Sequence, residues 1–523
     1  MDKLIEQLIH RYDEAKNIRS RVNPLLTELG KYVWPSMQDM VIEKAIPDEG
    51  LVRTVEIYDT TAITASKRMT SGLFSYLMPI GSKWYNYIAD DYEANQVSEN
   101  KEWLSKATIE AHKMIWASNY MREMYATIRS MISFGTGAIS YLPKTDFRFY
   151  PLQTVFFEEN ANGIIDSVFR LIQYNKRQAK QFFENPGKSV ANEKDDSKSL
   201  FEYIHCVVPN EDYDGKLGSQ KFTSIYILLK DNEEVFEKGK KNRGGYSKQI
   251  YRIARAPRGP QGILGESQAK DLLPDIKMLN AMTEAYIKSR ETQADPTICV
   301  TDDGVVGQPS TGPGGMIVMR AGSEKPFYLQ SGGDPQSAYQ DIMELRTIID
   351  TGFHKNVFQA LEGLKNISSA TEAEIRREDS LVMLAPEVTP LTKELLDPLM
   401  LSVLEGLPED KLPTRPPGLK VKIQYEGRLA LAMSNLQGSA LERWLAKWAP
   451  IQEAGIPVYD NMDIDKGSRD NALNDGVPAE LLIDEDLRDN QRAAQNQKAQ
   501  MERDAAMAES MSKSIKNVGS VVG

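Results

Sequence analysis

The chain has 523 residues, with 63 Lys and Arg against 74 Asp and Glu, for a formal charge of −11. Hydrophobics at 41% and charged residues at 26% exclude a disordered, collagenous or low-complexity chain. The acidic balance argues against a tight or sequence-specific nucleic-acid binder, which carries a basic footprint, and two cysteines exclude a disulfide scaffold or Cys-rich zinc module.

The length allows three or four domains of about 100–200 residues each. Cys206 and Cys299 read as small buried hydrophobes in a reducing compartment. The opening MDKLIEQLIH reads as an amphipathic helix rather than a leader. No run of about 18 apolar residues occurs, so no membrane span is expected and the expected setting is cytosol.

Leu4, Ile5, Leu8, Ile9 and Tyr12 form a helical stripe, predicted to stop near Pro24. A second helix is predicted over 60–77, with Ala62, Ser66, Met69, Leu73 and Leu77 on one face, ended by Pro79 and Gly81. Trp84, Tyr85, Tyr87 and Ile88 make an aromatic strand, and two helices follow over 101–118 and 121–134. From Ala138 to Val235, runs such as 164–172, 203–208 and 224–229 predict a mostly antiparallel sheet within an α+β domain, with 185–199 as exposed polar loop. Leu272, Ile276, Leu279, Thr283 and Tyr286 then mark a long helix, about 25 residues and so about 38 Å, ending at Asp295-Pro296. A Gly-rich section with a strand over 297–301 separates it from a second long helix, Pro335 to about Phe358. Residues 359–369 read as an irregular linker. Thr371 with Glu374, and Ser369 with Glu372, fit capping boxes and predict a sharp helix start. That helix should kink or break at Pro386, Pro390 and Pro398. A strand over 421–425 and a helical remainder with a frayed terminus complete the chain.

Motifs for catalysis are weak. His10, His112, His205 and His354 are far apart, and none sits at metal-ligand spacing, so core or surface roles are expected and no metal. Pro186-Gly187-Lys188-Ser189 ends like a phosphate loop, but Phe182 stands where the first glycine is required. Phe134-Gly135-Thr136-Gly137 is too short for a dinucleotide fingerprint and fits close backbone packing at a helix end. Trp84, Tyr85 and Tyr87 read as core rather than as base-stacking aromatics, because only Lys83 lies among them. Asn366-Ile367-Ser368 fits a glycosylation sequon without a secretory context.

Three blocks, in order, carry a family likeness. Tyr58-Asp-Thr-Thr-Ala-Ile-Thr-Ala-Ser-Lys-Arg-Met-Thr-Ser-Gly-Leu-Phe-Ser-Tyr-Leu-Met-Pro79 followed by Trp84 is the first. The second is Gly265-Glu-Ser, then 272–280 (LLPDIKMLN), then Ala294-Asp-Pro-Thr297. The third is 369–378 (SATEAEIRRE), then Leu384-Ala-Pro386 and Glu394-Leu-Leu-Asp-Pro398. Together they resemble the head-to-tail connector (portal) proteins of short-tailed bacteriophages, over roughly residues 1–430.

The resemblance implies a helix-rich α+β subunit: an α/β wing (1–264 and 371–429), two stem helices (265–295 and 335–358), a small α/β clip (296–334), a tunnel loop (359–370) and helical crown (430–523). It implies a ring, expected to be a dodecamer, at one capsid vertex of the virion, assembled in the host cytoplasm. Double-stranded DNA would pass through it without sequence specificity during packaging and ejection. Terminase, tail or adaptor proteins, capsid and scaffolding proteins are the implied partners, with no membrane, cofactor or enzymatic activity. Carried onto this chain, Leu361, Glu362, Lys365 and Asn366 would form the tunnel loop, Lys355 and Asn356 would face the channel, and Asp302, Asp303 and Val305 would meet partners at the clip. Lys365 is offset by Glu362, so the loop is not strongly basic. Each phosphate contact adds salt-dependent affinity, so an acidic wall with spaced positives suits passage rather than gripping. Two other readings are a phage adaptor or scaffold protein without a DNA channel, and an enzyme using Asp295, Asp302 and Asp303.

Overall fold

A computed structural model of the chain describes residues 3–40, 54–91, 93–95, 97–142, 146–193, 199–213, 219–240, 242–259, 262–296, 298–299, 304–307, 317–322, 324–325, 327–328, 335–363, 383–426, 444–445, 447–450, 463–474, Ile483, 488–495, 497–498 and 500–503. The N-terminal stripe forms α1 (Lys3–Ser20). Pro24 does not end the helical region but opens α2 (Asn23–Val33), in the first turn where a missing N–H costs nothing. Next come α3 (Thr61–Leu77), the aromatic strand β1 (Tyr85–Ala89), α4 (Ser98–Ala117) and α5 (Tyr120–Phe134). Gly135 ends α5 in the left-handed region (φ 80°), and a Cβ there would stand 2.0 Å from the Gly265 carbonyl oxygen, so close backbone packing does require glycine.

The β-rich section forms β2 (Thr136–Leu142), β3 (Asp146–Tyr150), β4 (Val155–Glu159), β5 (Ile165–Asn175), β6 (Leu200–Pro209), β7 (Phe222–Leu228), β8 (Glu233–Val235), β9 (Gly244–Tyr246) and β10 (Tyr251–Arg255). One antiparallel sheet runs β4-β5-β6-β7-β8 with β9 also on β7, and another runs β10-β2-β3. Between β5 and β6, α6 (Lys176–Phe182) starts at an Asn175–Gln178 capping box. Most of the expected loop after it is held in place: α7 (Lys188–Ala191) buries Val190, Ser189 N–H donates to Asp231, and the Pro186 carbonyl accepts from Tyr203. A polar composition hid this because the backbone and hydroxyls, not apolar side chains, make most of the contacts.

The chain divides into two units, Met1–Ser75 with Ser118–Leu399, and Tyr76–Ala117 with Met400–Gly523. In the first, α1 lies on the larger sheet. Ile5, Leu8 and Tyr12 pack against Phe156, Phe169, Ile204, Cys206 and Ile225. The alternation of β6 is that of a two-sided strand: Ile204, Cys206 and Val208 face α1, while Tyr203 and Val207 join cores on the other side. On that side His205 is buried, its ring hydrogen-bonded to the Tyr251 and Ser224 hydroxyls at 2.6 and 2.8 Å. Burial holds its pKa well below the ordinary histidine value, so the imidazole is neutral. Burial likewise pushes the Cys206 thiol up, whereas Cys299 is only half-buried.

In the second unit the aromatic strand is core: Trp84 and Tyr85 are fully buried and Tyr87 nearly so. Its antiparallel partner is β13 (Val421–Tyr425), with Tyr85 opposite Tyr425. Trp84 stacks on Tyr425 and Tyr85 on His112 of α4. Near the C-terminus an 11-residue helix (Ile464–Asn474) pairs Asp465 with Arg492. Among the described residues no helix is long and apolar enough to cross a membrane.

Candidate functional site

Two long helices of the first unit dominate the region the sequence singles out. A short turn, α8 (Gln268–Asp271), capped by the Ser267 hydroxyl, leads into α9 (Leu273–Ala294). After β11 (Ile298–Cys299) and β12 (Phe327–Tyr328), which pair antiparallel, the chain returns as α10 (Pro335–Gly352). Tyr286 meets Tyr339 with ring centroids 6.1 Å apart, and Leu272 fills the space beside Gly352, so α9 and α10 run antiparallel. Their shared seam buries Ile276, Leu279, Ile342, Leu345 and Ile349.

The outer faces carry large apolar side chains in solvent. Met278 is 48% exposed, Tyr339 47%, Met343 43% and Ile348 42%, with Ile287 also exposed. Charge on the pair is balanced to acidic. On α9, Asp275, Glu284 and Glu291 face Lys277, Lys288 and Arg290; on α10, Asp341, Glu344 and Asp350 oppose Arg346 alone, so 4 − 6 = −2. Lys288, donating to Glu284, holds that carboxyl below its ordinary range.

The base of the pair is locked by polar contacts to which the blocks quoted above contribute Tyr58, Asp59, Thr61 and Asn280. Asn280 of α9 accepts from the Tyr58 amide at 2.8 Å and donates to the Glu56 carbonyl at 3.1 Å. Arg346 of α10 donates to Asp59 at 2.9 Å, and Asp59 accepts from the Thr61 amide at the start of α3. Gly72 of α3 lies against the Phe358 ring; a Cβ there would be 2.4 Å from it. The segment 385–396 returns to the sheet. Glu394 accepts from the Arg255 backbone amide at 3.0 Å and from its guanidinium at 2.8 Å, and Glu159 takes the same buried guanidinium. Gln268 and His354 both approach Glu387, the latter at 3.6 Å.

Several expectations change here. The second long helix does not run to Phe358. It stops at Gly352, His354 takes a left-handed conformation (φ 55°), and α11 (Lys355–Gly363) begins anew. The apolar spacing of Ile349, Phe353 and Val357 runs through the break and concealed it. Residues 359–363, expected as irregular linker, are the end of α11. The proline-rich stretch is not broken either: α12 (Ala385–Pro390), a π-helical turn (Leu391–Leu396) and α13 (Asp397–Glu405) follow one another in helical dihedrals. The Asp397 amide bonds back five residues to Thr392, which accommodates prolines lacking donors.

Of the singled-out residues, Lys355 is half-buried and ion-paired with Asp350, and Asn356 is exposed. Leu361 and Glu362 fall in the last turn of α11. Val305 forms an isolated antiparallel bridge with Met319. Lys365, Asn366, Ser369, Thr371, Glu374, Asp302 and Asp303 lie outside the described residues. Among the described residues no group of three or more His, Cys, Asp or Glu is placed to hold a metal ion. Asn280, Arg346, Asp59, Arg255 and Glu394 were not singled out as site residues; polar residues inside otherwise apolar helical spacing were the available signal for the first two.

The chain is similar to a "Probable portal protein" of Bordetella phage BPP-1, 23% identical over 93% of this chain and 92% of that one. It is also similar to the "Portal protein" of Salmonella phage epsilon15, 21% identical over 98% and 95%. Among solved structures, a chain from the neck of an empty GTA particle aligns with 80% of this chain and 94% of its own, at 11% identity and a TM-score of 0.37. The profile of the family described as bacteriophage head to tail connecting protein matches residues 5–482, and the chain belongs to that family.

Proposed function

We propose that this chain is the portal subunit of a phage, a non-catalytic ring at one capsid vertex through which double-stranded DNA enters and leaves. The observation that carries this reading is the pair α9–α10. It is a stiff antiparallel rod with a dry inner seam and an outer face of Met278, Ile287, Tyr339, Met343 and Ile348 left in water. Such a patch on a single copy marks an interaction surface. Head-to-tail association of identical copies through unlike faces closes into a ring when the rotation permits, twelve being the expected number.

The charge pattern suits passage of a polyanion. With 4 bases against 6 acids on the two helices, and Arg346 already spent on Asp59, the rod offers few free phosphate contacts. Each such contact would add affinity and therefore friction. Lys355, paired with Asp350, is held as a screened positive rather than an anchor. Within this reading β11–β12 and the Val305–Met319 bridge belong to the clip that meets terminase and tail or adaptor proteins, and α11 leads into the tunnel loop.

A paired substitution tests it. Met278→Lys with Ile348→Lys leaves the inner seam untouched and should give a folded protein, by circular dichroism, that no longer forms rings in electron micrographs. Rings of unchanged size would remove α9–α10 as the assembly surface.

A further inference from the structure

Where α1 turns into α2, the first unit contains a cavity of about 490 Å³. Its described walls include Leu25, Leu26, Phe134, Phe156 and Ile263, an apolar lining shared by both helices, the end of α5 and the larger sheet. One wall residue is out of keeping with this. Arg19, in the last turn of α1, is 7% exposed. Among the described residues its side chain makes one hydrogen bond, from Nη2 to the Leu152 carbonyl at 3.1 Å, and its buried Nε has no partner. Among the described residues no carboxylate forms an ion pair with it, and Glu266, the acid among the described cavity walls, is paired with Lys270. Burial accordingly lowers the Arg19 pKa.

A buried cation without a counter-ion is costly, and buried charges in folded proteins are paired or hydrogen-bonded as a rule. An occupant supplying a negative oxygen would pair with the part of the guanidinium fork that the Leu152 carbonyl leaves free, in a charge-assisted hydrogen bond. The remainder of the occupant must be apolar to match the walls. A cation is disfavoured by Arg19, Arg21 and Lys270 against one acid, and inorganic phosphate would set most of its oxygens against hydrocarbon. The volume falls in the range of small-ligand pockets. We propose that this cavity is a binding site for an aliphatic carboxylate, with its chain along the Leu25, Leu26 and Phe156 wall and its carboxylate on Arg19.

Decanoate and decanol, below micellar concentration, are the probes, titrated calorimetrically into the full-length protein. Decanoate should bind at least tenfold more tightly than decanol. In hydrogen exchange it should protect peptides covering 15–29 and 262–270. Arg19→Met should lose the preference for decanoate while melting no lower than the wild type without ligand, because an apolar side chain replaces an unpaired buried charge. Equal affinity for the two probes, protection confined to other peptides, no binding of either, or an unchanged preference in Arg19→Met would each overturn the assignment. Should Arg19→Met fail to fold, the wild-type affinity ratio and protection pattern still decide it. The readout does not depend on ring formation.

Discussion

Glu394 ties the returning segment to the sheet of the first unit, and its loss has a calculable effect. Its carboxylate accepts from the Arg255 backbone amide, Nε and Nη2 at 3.0, 3.3 and 2.8 Å. The Arg255 side chain is only 3% exposed, so the guanidinium depends on protein acceptors. Removing one partner of a buried pair costs about 3–5 kcal/mol. In Glu394→Ala the guanidinium keeps Glu159 and the Gly163 carbonyl, and Glu394 is itself one-third exposed, which puts the expected loss at the lower end, about 3 kcal/mol. At about 1.4 kcal/mol per tenfold, amides of Leu391–Leu396 should exchange on the order of 100-fold faster. Hydrogen exchange read by mass spectrometry at constant pH measures this directly. Replacing both partners, Arg255→Met with Glu394→Leu, should recover most of the protection, since a well-packed apolar pair can substitute for a buried ion pair. A change under threefold in Glu394→Ala would show that the segment is held by its leucines alone.

Two further outcomes follow from polar groups inside the fold. Asn280→Ala removes the acceptor for the Tyr58 amide and the donor to the Glu56 carbonyl, and should destabilise residues 54–60 by about 1–3 kcal/mol; limited proteolysis should then cut there first, and an unchanged digestion pattern would contradict the lock. His112 accepts from the Trp84 amide through Nε2 and donates from Nδ1 to the Thr108 carbonyl, so its ring is neutral, and burial pushes its pKa down to about 4 from an ordinary 6.5. A folded pKa below the unfolded one gives stability that is complete above pH 6.5 and is lost as pH falls through about 4. The second unit should lose up to about 3 kcal/mol over that window, with the loss flattened in His112→Gln; thermal melts across pH that superimpose for the two proteins would refute it.

Local periodicity carried much of the fold. The stripes of α1, α3, α4 and α5 are close to where apolar spacing predicts them, and the β-rich section is antiparallel, divided between two sheets. What local pattern does not contain is partnership across long separations. The strand Tyr85–Ala89 was legible, but its pairing with Val421–Tyr425 was not, because register is decided by packing in three dimensions. Backbone exceptions were also hidden. The second long helix ends at Gly352 with His354, rather than the glycine, in the left-handed conformation, and the π-helical turn at Leu391–Leu396 keeps helical a segment whose prolines spoke for a break. At the candidate site, the family blocks contained Asp59, Asn280 and Glu394, yet nothing in their spacing showed that these residues reach Arg346, the 56–59 backbone and Arg255. Arg19 lies beyond the predicted stripe of Leu4 to Tyr12 as one more basic residue of the first helix; only its burial distinguishes it.

Assembly is the claim on which the functional reading rests. Electron micrographs of the purified full-length protein, averaged end-on, test it most directly. Portal function predicts closed rings of one subunit number with an open axis, wide enough for a DNA duplex. A monomer at micromolar concentration, or a ring without an axial opening, would contradict it.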